Sequence, residues 1–276
     1  MKRLRFLMVG GFLGAGKTTA VGRLARFYRD RGQRVGVVTN DQAAGLVDTN
    51  SLKAQGLAVE EVAGACFCCR FDDLVGKVGQ LESDSRPDVI LAEPVGSCTD
   101  LVATVVQPLK DLYGDRFEVA PYAVLFKPAH GLKILKGEAE LGWVNGAAKV
   151  TAATPFVADA FLLNVVERLQ AALAVEGGEV AHLKAIGLSD GAFGVANLVS
   201  TATQPELSLP SRATVRELDL IVNARVALDP ALIEERVRQE TARAAAERGA
   251  KAEFRTMQSF RPGRPTPTHR YASAKG

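Results

Sequence analysis

Two short strings carry residue types with obvious chemistry. The first is Gly11-Phe12-Leu13-Gly14-Ala15-Gly16-Lys17-Thr18. It fits G-x-x-x-x-G-K-[ST], a loop whose glycines let backbone N–H groups wrap a phosphate. Lys17 would neutralise the β- and γ-phosphates, and the Thr18 hydroxyl would hold Mg²⁺. Gly11, Gly14, Ala15, Gly16 and Thr19 complete the cradle. The second string is Cys66-Phe67-Cys68-Cys69. Three thiolates within four positions suit one soft metal ion, with Zn²⁺, Ni²⁺ and Co²⁺ as candidates. If the segment is extended, Cys66 and Cys68 share a side and Cys69 turns back. A fourth ligand must come from elsewhere; His130, His182 and His269 are possible, each more often an ordinary histidine. The spacing leaves Cys98 unassigned.

A third string, Glu93-Pro94-Val95-Gly96, completes the set. Glu93 stands where an acidic residue after an internal strand holds a Mg²⁺-bound water or orients the attacking water. The Gly96 N–H would meet a γ-phosphate. Asp41, at the end of another apolar run, is a further nucleotide-site candidate.

These residues need elements to hold them together. Leu4 to Val9 reads as a buried strand. Lys17 to Arg31 has Val21, Leu24, Ala25 and Tyr28 at helical spacing and stops at Gly32. Strands are expected at 35–39, 58–62, 88–92 and 123–126, with helices at 74–81 and 101–112. Strands alternating with helices mean a parallel sheet, with ligands at the carboxyl ends of its strands. The phosphate loop, Asp41, the cysteines and Glu93 all follow expected strands, so they should meet at one edge.

The character changes near Gly137. A strand is expected at 141–150, then a helix opened by Thr154-Pro155 with Phe156, Ala160, Leu163, Val166 and Leu173 on its apolar stripe. Strands at 180–188, 192–200 and 218–226 follow, then a helix from Asp229-Pro230 to about Arg248. From Arg255 the chain is rich in Pro and Arg and reads as an extended solvated tail. The expected domains are therefore 1–137, 138–254 and the tail 255–276.

Composition sets outer bounds. The chain has 276 residues, 47% apolar and 24% charged, the balance of a soluble globular protein. A net charge of +3 argues neither for nor against nucleic acid. No apolar run is long enough for a membrane helix. The apolar N-terminus leads straight into the phosphate loop, so it reads as a strand rather than a signal peptide. Clustered, unpaired cysteines point to a reducing cytoplasm.

Together these features resemble the CobW family of P-loop GTPases, metallochaperone relatives of the hydrogenase- and urease-maturation GTPases. Gly10 to Thr19 is similar to that family's phosphate loop, Cys66-Phe67-Cys68-Cys69 to its C-x-C-C metal motif, and Glu93-Pro94-Val95-Gly96 to its E-x-x-G element. Asn40-Asp41 through Asp48 resembles its switch segment, with Gln42-Ala43 in place of Phe-Gly. Gly142 to Asn145, Ala181 to Lys184 and Asn223 to Val226 resemble the family's C-terminal domain. The resemblance implies a P-loop NTPase parallel sheet flanked by helices, followed by a smaller CobW C-terminal-like α/β domain. It implies a GTP-binding, GTP-hydrolysing, Mg²⁺-dependent metallochaperone that delivers zinc, cobalt or nickel to a client metalloprotein or a cobalamin-type pathway protein.

One departure matters. The family is similar to other GTPases in reading guanine with N-K-x-D, and no Asn-Lys-x-Asp occurs in this sequence. The nearest string, Asn164-Val165-Val166-Glu167, lies in an expected helix. The nucleotide half ends near Lys136-Gly137, leaving no room for two further strand–helix units. Two other readings therefore stand beside the metallochaperone: a non-hydrolysing metal-binding or scaffold protein with a relict phosphate loop, and an ATP-using P-loop enzyme.

Overall fold

The computed structural model describes residues 3–12, 14–41, 49, 52–53, 56–96, 98, 100–126, 141–262 and 266–271. The chain divides into two compact units, Met1–Leu135 with Arg264–Gly276, and Lys136–Gly263.

The first unit is a parallel sheet with helices. Its strands are β1 (Leu4–Gly11), β2 (Val35–Asp41), β3 (Ala58–Ala63), β4 (Val89–Glu93) and β5 (Phe117–Leu125). They lie in the order β3-β2-β4-β1-β5, every pair parallel. All five residues of β4 are buried. That is the mark of a strand covered on both faces, which an uninterrupted apolar run such as Val89-Ile90-Leu91-Ala92 encodes. β5 starts earlier than its apolar run suggests. It is an edge strand, and its register against β1 slips between Val119 and Tyr122. Pro121 sits in that irregularity, where a residue without an N–H costs the ladder nothing.

Helix α1 (Lys17–Arg29) buries Val21 and Ala25, with Leu24 and Tyr28 packed at the edge of the same cluster. Helix α2 (Phe71–Ser85) buries Phe71, Leu74, Val75, Val78 and Leu81. Both stripes follow from helical spacing. A π-helical turn (Val102–Val106) runs into α3 (Gln107–Tyr113), which leads to β5. No parallel strand follows β5 in this sheet among the described residues.

The second unit is a six-stranded antiparallel sheet: β6 (Gly142–Val157), β7 (Val180–Ser189), β8 (Ala192–Leu198), β9 (Glu206–Leu209), β10 (Thr214–Val226) and β11 (Ala250–Phe260), ordered β11-β6-β10-β7-β8-β9. Helices α4 (Ala158–Val175) and α5 (Pro230–Ala246) complete it. Phe161, Leu162, Val165, Val166, Leu169 and Leu173 of α4 share one core with the alternating Leu218, Leu220, Val222, Ala224 and Val226 of β10. Asn164 to Glu167 lies within α4, and Asn164 accepts a hydrogen bond from Arg248. Val165 and Val166 of that string belong to the core, and only Asn164 and Glu167 reach the helix surface.

Two expectations need correction here. Thr154-Pro155 does not open a helix: β6 runs through to Val157. The register with β10 jumps from Thr151↔Glu217 to Phe156↔Val215, so residues 152–155 bulge opposite Arg216. A proline fits in a bulge because no ladder bond is asked of it. Nor does a solvated tail begin at Arg255. Residues 250–260 form β11, paired along β6 from Ala152 to Trp143, because Phe254 and Met257 find the core. The boundary drawn at 254 falls inside this strand.

The three strings resembling a CobW C-terminal domain become neighbours. Asn223 of β10 lies opposite Asn145 of β6 and Lys184 of β7, and Arg225 lies opposite Trp143 and His182. The buried Arg225 guanidinium stacks 3.8 Å from the Trp143 ring centre and donates to Asn145 at 2.9 Å. A buried arginine held by ring and amide in this way keeps its charge satisfied.

Asp159, in the first turn of α4, accepts from the Ser211 N–H at 2.8 Å, the Ser211 hydroxyl at 2.6 Å and the Arg212 N–H at 2.9 Å. Burial raises its pKa, but the hydrogen bonds of Ser211 and Arg212 outweigh burial and leave it lowered. A carboxylate with a lowered folded-state pKa contributes stability above its unfolded value of about 3.9 and loses it as pH falls through the folded value. Asp159→Asn should therefore lower the thermal midpoint at about pH 7, and the gap to the parent should close toward about pH 2. Melting curves at both pH values check this; an equal gap at each would show that the charge is not the cause.

Candidate nucleotide and metal site

The phosphate loop begins where β1 meets β5. Gly11 has φ 139°, and a Cβ there would lie 2.5 Å from the Leu125 carbonyl oxygen. No side chain fits so close an approach. The Ala15 N–H closes a turn on Phe12 O at 3.1 Å. Gly14 and Gly16 have φ of 72° and 91°, left-handed values that favour glycine. Gly16 stands at the N-cap of α1 and offers no side chain to that helix. The first N–H groups of a helix have no partner inside it and carry the positive end of its dipole. With a glycine cap they remain directed at an anion. Lys17 is buried, its Nζ 3.4 Å from Phe12 O. Thr19 faces solvent.

Thr18 Oγ1 donates to Glu93 Oε1 at 2.9 Å. The two residues are 75 positions apart, and β1 beside β4 brings them together. Glu93 is 5% exposed. A hydroxyl and a buried carboxylate at this distance can share one hydrated Mg²⁺, the first as ligand and the second through a water. Gly96 follows in the next turn, half-buried. Asp41 ends β2, with its backbone opposite Ala63. Asp48, Gln42-Ala43 and His130 lie outside the described residues.

The cysteines stand at the same edge, after β3. The segment is not extended. Cys69 N–H and Arg70 N–H both bond to Cys66 O, at 2.9 and 3.0 Å, so the motif is a helical turn leading into α2. Curling, rather than alternation, makes the side chains converge. Sγ atoms lie 2.8 Å apart for Cys66–Cys68, 3.2 Å for Cys66–Cys69 and 3.8 Å for Cys68–Cys69. Cys66 and Cys68 are buried and Cys69 half-buried. Hydrogen bonding to Cys68 first, and Cys98 second, holds the Cys66 thiol far below its usual range. Cys68 is pushed up to about 12, chiefly by its bond to Cys66. Cys69 is raised by burial. The cluster thus favours one thiolate, the metal-binding form. Soft donors that converge within 4.8 Å fit a zinc-type ion.

Three features of the cysteine turn lie outside the motifs read from sequence. The Asn40 side chain spans β2 to the turn. It donates to Val62 O at 2.9 Å and Ala65 O at 2.8 Å and accepts from Phe67 N–H at 2.7 Å. Residues 266–271 return as a strap. Thr266 N–H donates to Cys69 Sγ at 3.1 Å, and Thr268 N–H to Cys68 O at 2.7 Å. The strap also explains His269, whose ring stands edge-on to Phe71 at 4.9 Å. Finally, hydrogen bonding with Cys66 and Cys68, together with burial, pushes the Cys98 thiol up. The Asn-Asp pair hinted at Asn40, but nothing local marks the strap. His182 is on β7, in the second unit.

The Cys66→Ser, Cys68→Ser, Cys69→Ser triple variant should lose tight Co²⁺ and Zn²⁺ binding, since a hydroxyl is a far poorer ligand for a soft ion than a thiolate. Thiolate-to-Co²⁺ charge-transfer absorption should be present in the parent and gone in the variant. Its survival would place the metal elsewhere.

Comparison with known proteins agrees with this geometry. Residues 5–124 match CobW/HypB/UreG, nucleotide-binding domain. The chain is 33% identical over 113 residues to the zinc chaperone YeiR of Escherichia coli, covering 38% of this chain and 34% of YeiR. It is 34% identical over 97 residues to the zinc chaperone CobW of a Sinorhizobium species, covering 32% of this chain and 27% of that one. The match thus spans about a third or less of these relatives' length. The Zn(II)-bound YjiA GTPase of Escherichia coli aligns over 88% of this chain and 99% of its own, at 12% identity and a TM-score of 0.29. The phosphate loop on β1, the Thr18–Glu93 pair and the cysteine turn all fall within residues 5–124, the segment that is similar to the CobW/HypB/UreG nucleotide-binding domain.

Proposed function

We propose that the chain is a GTP-hydrolysing metallochaperone, which takes up a transition metal at the cysteine turn and releases it to a client metalloprotein or cofactor pathway under nucleotide control. One observation carries the reading. Phosphate loop and Thr18–Glu93 pair stand on the adjacent strands β1 and β4 and the thiol cluster follows β3, with β2 between β3 and β4, all at the carboxyl edge of one parallel sheet. A nucleotide and a metal bound there would each feel the segments that hold the other, the physical basis of coupling. Zinc is the favoured cargo, since two relatives are named zinc chaperones.

In this reading Gly11, Gly14, Ala15, Gly16 and Thr19 line the phosphates with backbone N–H groups. Lys17 leaves its carbonyl contact to neutralise the β- and γ-phosphates. Mg²⁺, held by Thr18, would draw charge from the leaving phosphate oxygens. Glu93 fixes a water by its buried carboxylate, Gly96 donates an N–H to the γ-phosphate, and Asp41 serves the switch side. The cysteines bind metal as thiolates and give up their protons to solvent.

Lys17→Ala should abolish nucleotide binding, because it removes the side-chain cation of the cradle. Titration calorimetry with GTP and Mg²⁺ reads the loss; unchanged affinity would exclude the phosphate site. The purified parent should release phosphate from GTP. A parent that binds nucleotide and releases none would instead be the metal-binding scaffold.

The absence of N-K-x-D has its own consequence. A site built to hydrogen-bond a group rejects ligands lacking it by large factors. Without a carboxylate for the guanine edge, GTP and ATP should differ in affinity by less than about tenfold, or ~1.4 kcal/mol. Competition of each against a fluorescent nucleotide analogue measures this. A preference for GTP of about a hundredfold would reveal a base-reading group elsewhere in the chain.

A further inference from the structure

Of the three donors in the cysteine turn, Cys69 is the half-buried one, so it marks the side that solvent can reach. The returning strap lies on that side. Cys69 Sγ accepts the Thr266 N–H at 3.1 Å. Two residues on, Thr268 donates its N–H to Cys68 O at 2.7 Å and its hydroxyl to Cys69 O at 3.2 Å. Exposure alternates along the strap: Thr266, Thr268 and Arg270 are exposed, while Pro267, His269 and Tyr271 are half-buried. That is the pattern of an extended segment with one side against the protein, and the fixed φ of Pro267 suits it.

The far end is fastened elsewhere. Arg270 pairs with Asp100 at 2.8 Å, and Tyr271 N–H bonds Ala103 O at 3.1 Å. Ala103 lies in the π-helical turn, where Gln107 N–H goes to Val102 O. The next bond of that pattern would join Ala103 O to residue 108, which is a proline and has no N–H. The strap thus takes an acceptor that the helix leaves open. A segment held by exposed bonds and a ring contact, His269 on Phe71 at 4.9 Å, opens at low cost while the sheet stays folded.

We propose that residues 266–271 are a latch over the metal site, tying the cysteine turn to the segment after β4, and that metal enters and leaves when the latch lifts. This rests on the metal-binding reading above and adds a gate to it. The donors belong to the turn and not to the latch, so lifting removes no ligand. The latch therefore sets the speed of metal exchange rather than the affinity.

Transfer of Zn²⁺ between the full chain and a chromogenic chelator, followed by stopped flow in both directions, tests this. Thr268→Pro removes the N–H and the hydroxyl that hold Cys68 O and Cys69 O, and touches no sulfur. It should speed uptake and release alike by about fivefold or more, the scale of one net hydrogen bond, with affinity within about twofold of the parent's. Arg270→Asp sets two carboxylates together and should speed both by about threefold, the scale of an exposed ion pair. Adding Asp100→Arg restores the pair and should return the parent's rates; failure of that rescue would overturn the anchor at Asp100. Melting of the metal-free variants near the parent's midpoint excludes misfolding as the cause. Parent rates in Thr268→Pro, or a weakened affinity with uptake unchanged, would overturn the latch and leave the cysteine site standing. A parent whose zinc binding survives loss of Cys66, Cys68 and Cys69 would overturn both.

Discussion

The parallel pairing of β4 between β1 and β2 is the constraint on which the site depends. In a parallel sheet every strand ends at the same edge, so loops far apart in sequence are delivered to one place. Met8 lies beside Ala92, and Val38 beside Ala92 on the other side. Extending each strand to its end brings the phosphate loop, Asn40 and Glu93 to neighbouring positions. β4 is buried along its whole length. A slip by one residue would carry Glu93 away from Thr18 and turn every side chain of β4 to the opposite face of the sheet, where it would have to be repacked. The pair is thus held by core packing rather than by its own hydrogen bond.

The cysteine turn is positioned by polar contacts instead. Asn40 is 8% exposed and satisfies two carbonyls and one N–H around the turn. Its loss would leave buried backbone groups without partners, at about 1–3 kcal/mol each. Such a turn does not collapse into the core, yet Cys66 and Cys68 are buried and Cys69 is half-buried. Burial of a shared thiolate among neutral thiols is costly, and a divalent cation removes the cost by deprotonating and binding them together. The strap, returning as residues 266–271, adds backbone bonds to the exposed side of this turn.

The second unit is organised differently. Its apolar residues alternate along long antiparallel strands, so one face packs on two helices and the other carries Trp143, Asn145, Asn223 and Arg225. No described helix in either unit is long and apolar enough to cross a membrane. The polar face is as deliberate as the apolar one: Asn145 receives both the Asn223 amide and the Arg225 guanidinium.

The chemistry of the first unit was legible in the sequence because it is local. A loop of glycines before a helix, three cysteines in four positions and buried runs such as Val89 to Ala92 each announce themselves within a dozen residues. The Thr18–Glu93 meeting was legible one step further on, because alternating strands and helices admit a parallel sheet. Asp229-Pro230 as a helix start was readable for the same local reason, and its side chain caps Ala231 N–H. Pro155 misled because a proline after a threonine suits both a helix start and a bulge, and only the register against β10 decides between them. β11 was hidden because strand pairing is non-local, and the exposed Lys251, Glu253, Arg255 and Gln258 masked Phe254 and Met257. Only the tertiary structure could bring Thr266 and Thr268 to the cysteine turn: contacts between residues 197 and 199 positions apart follow from chain return and packing, which no local spacing encodes.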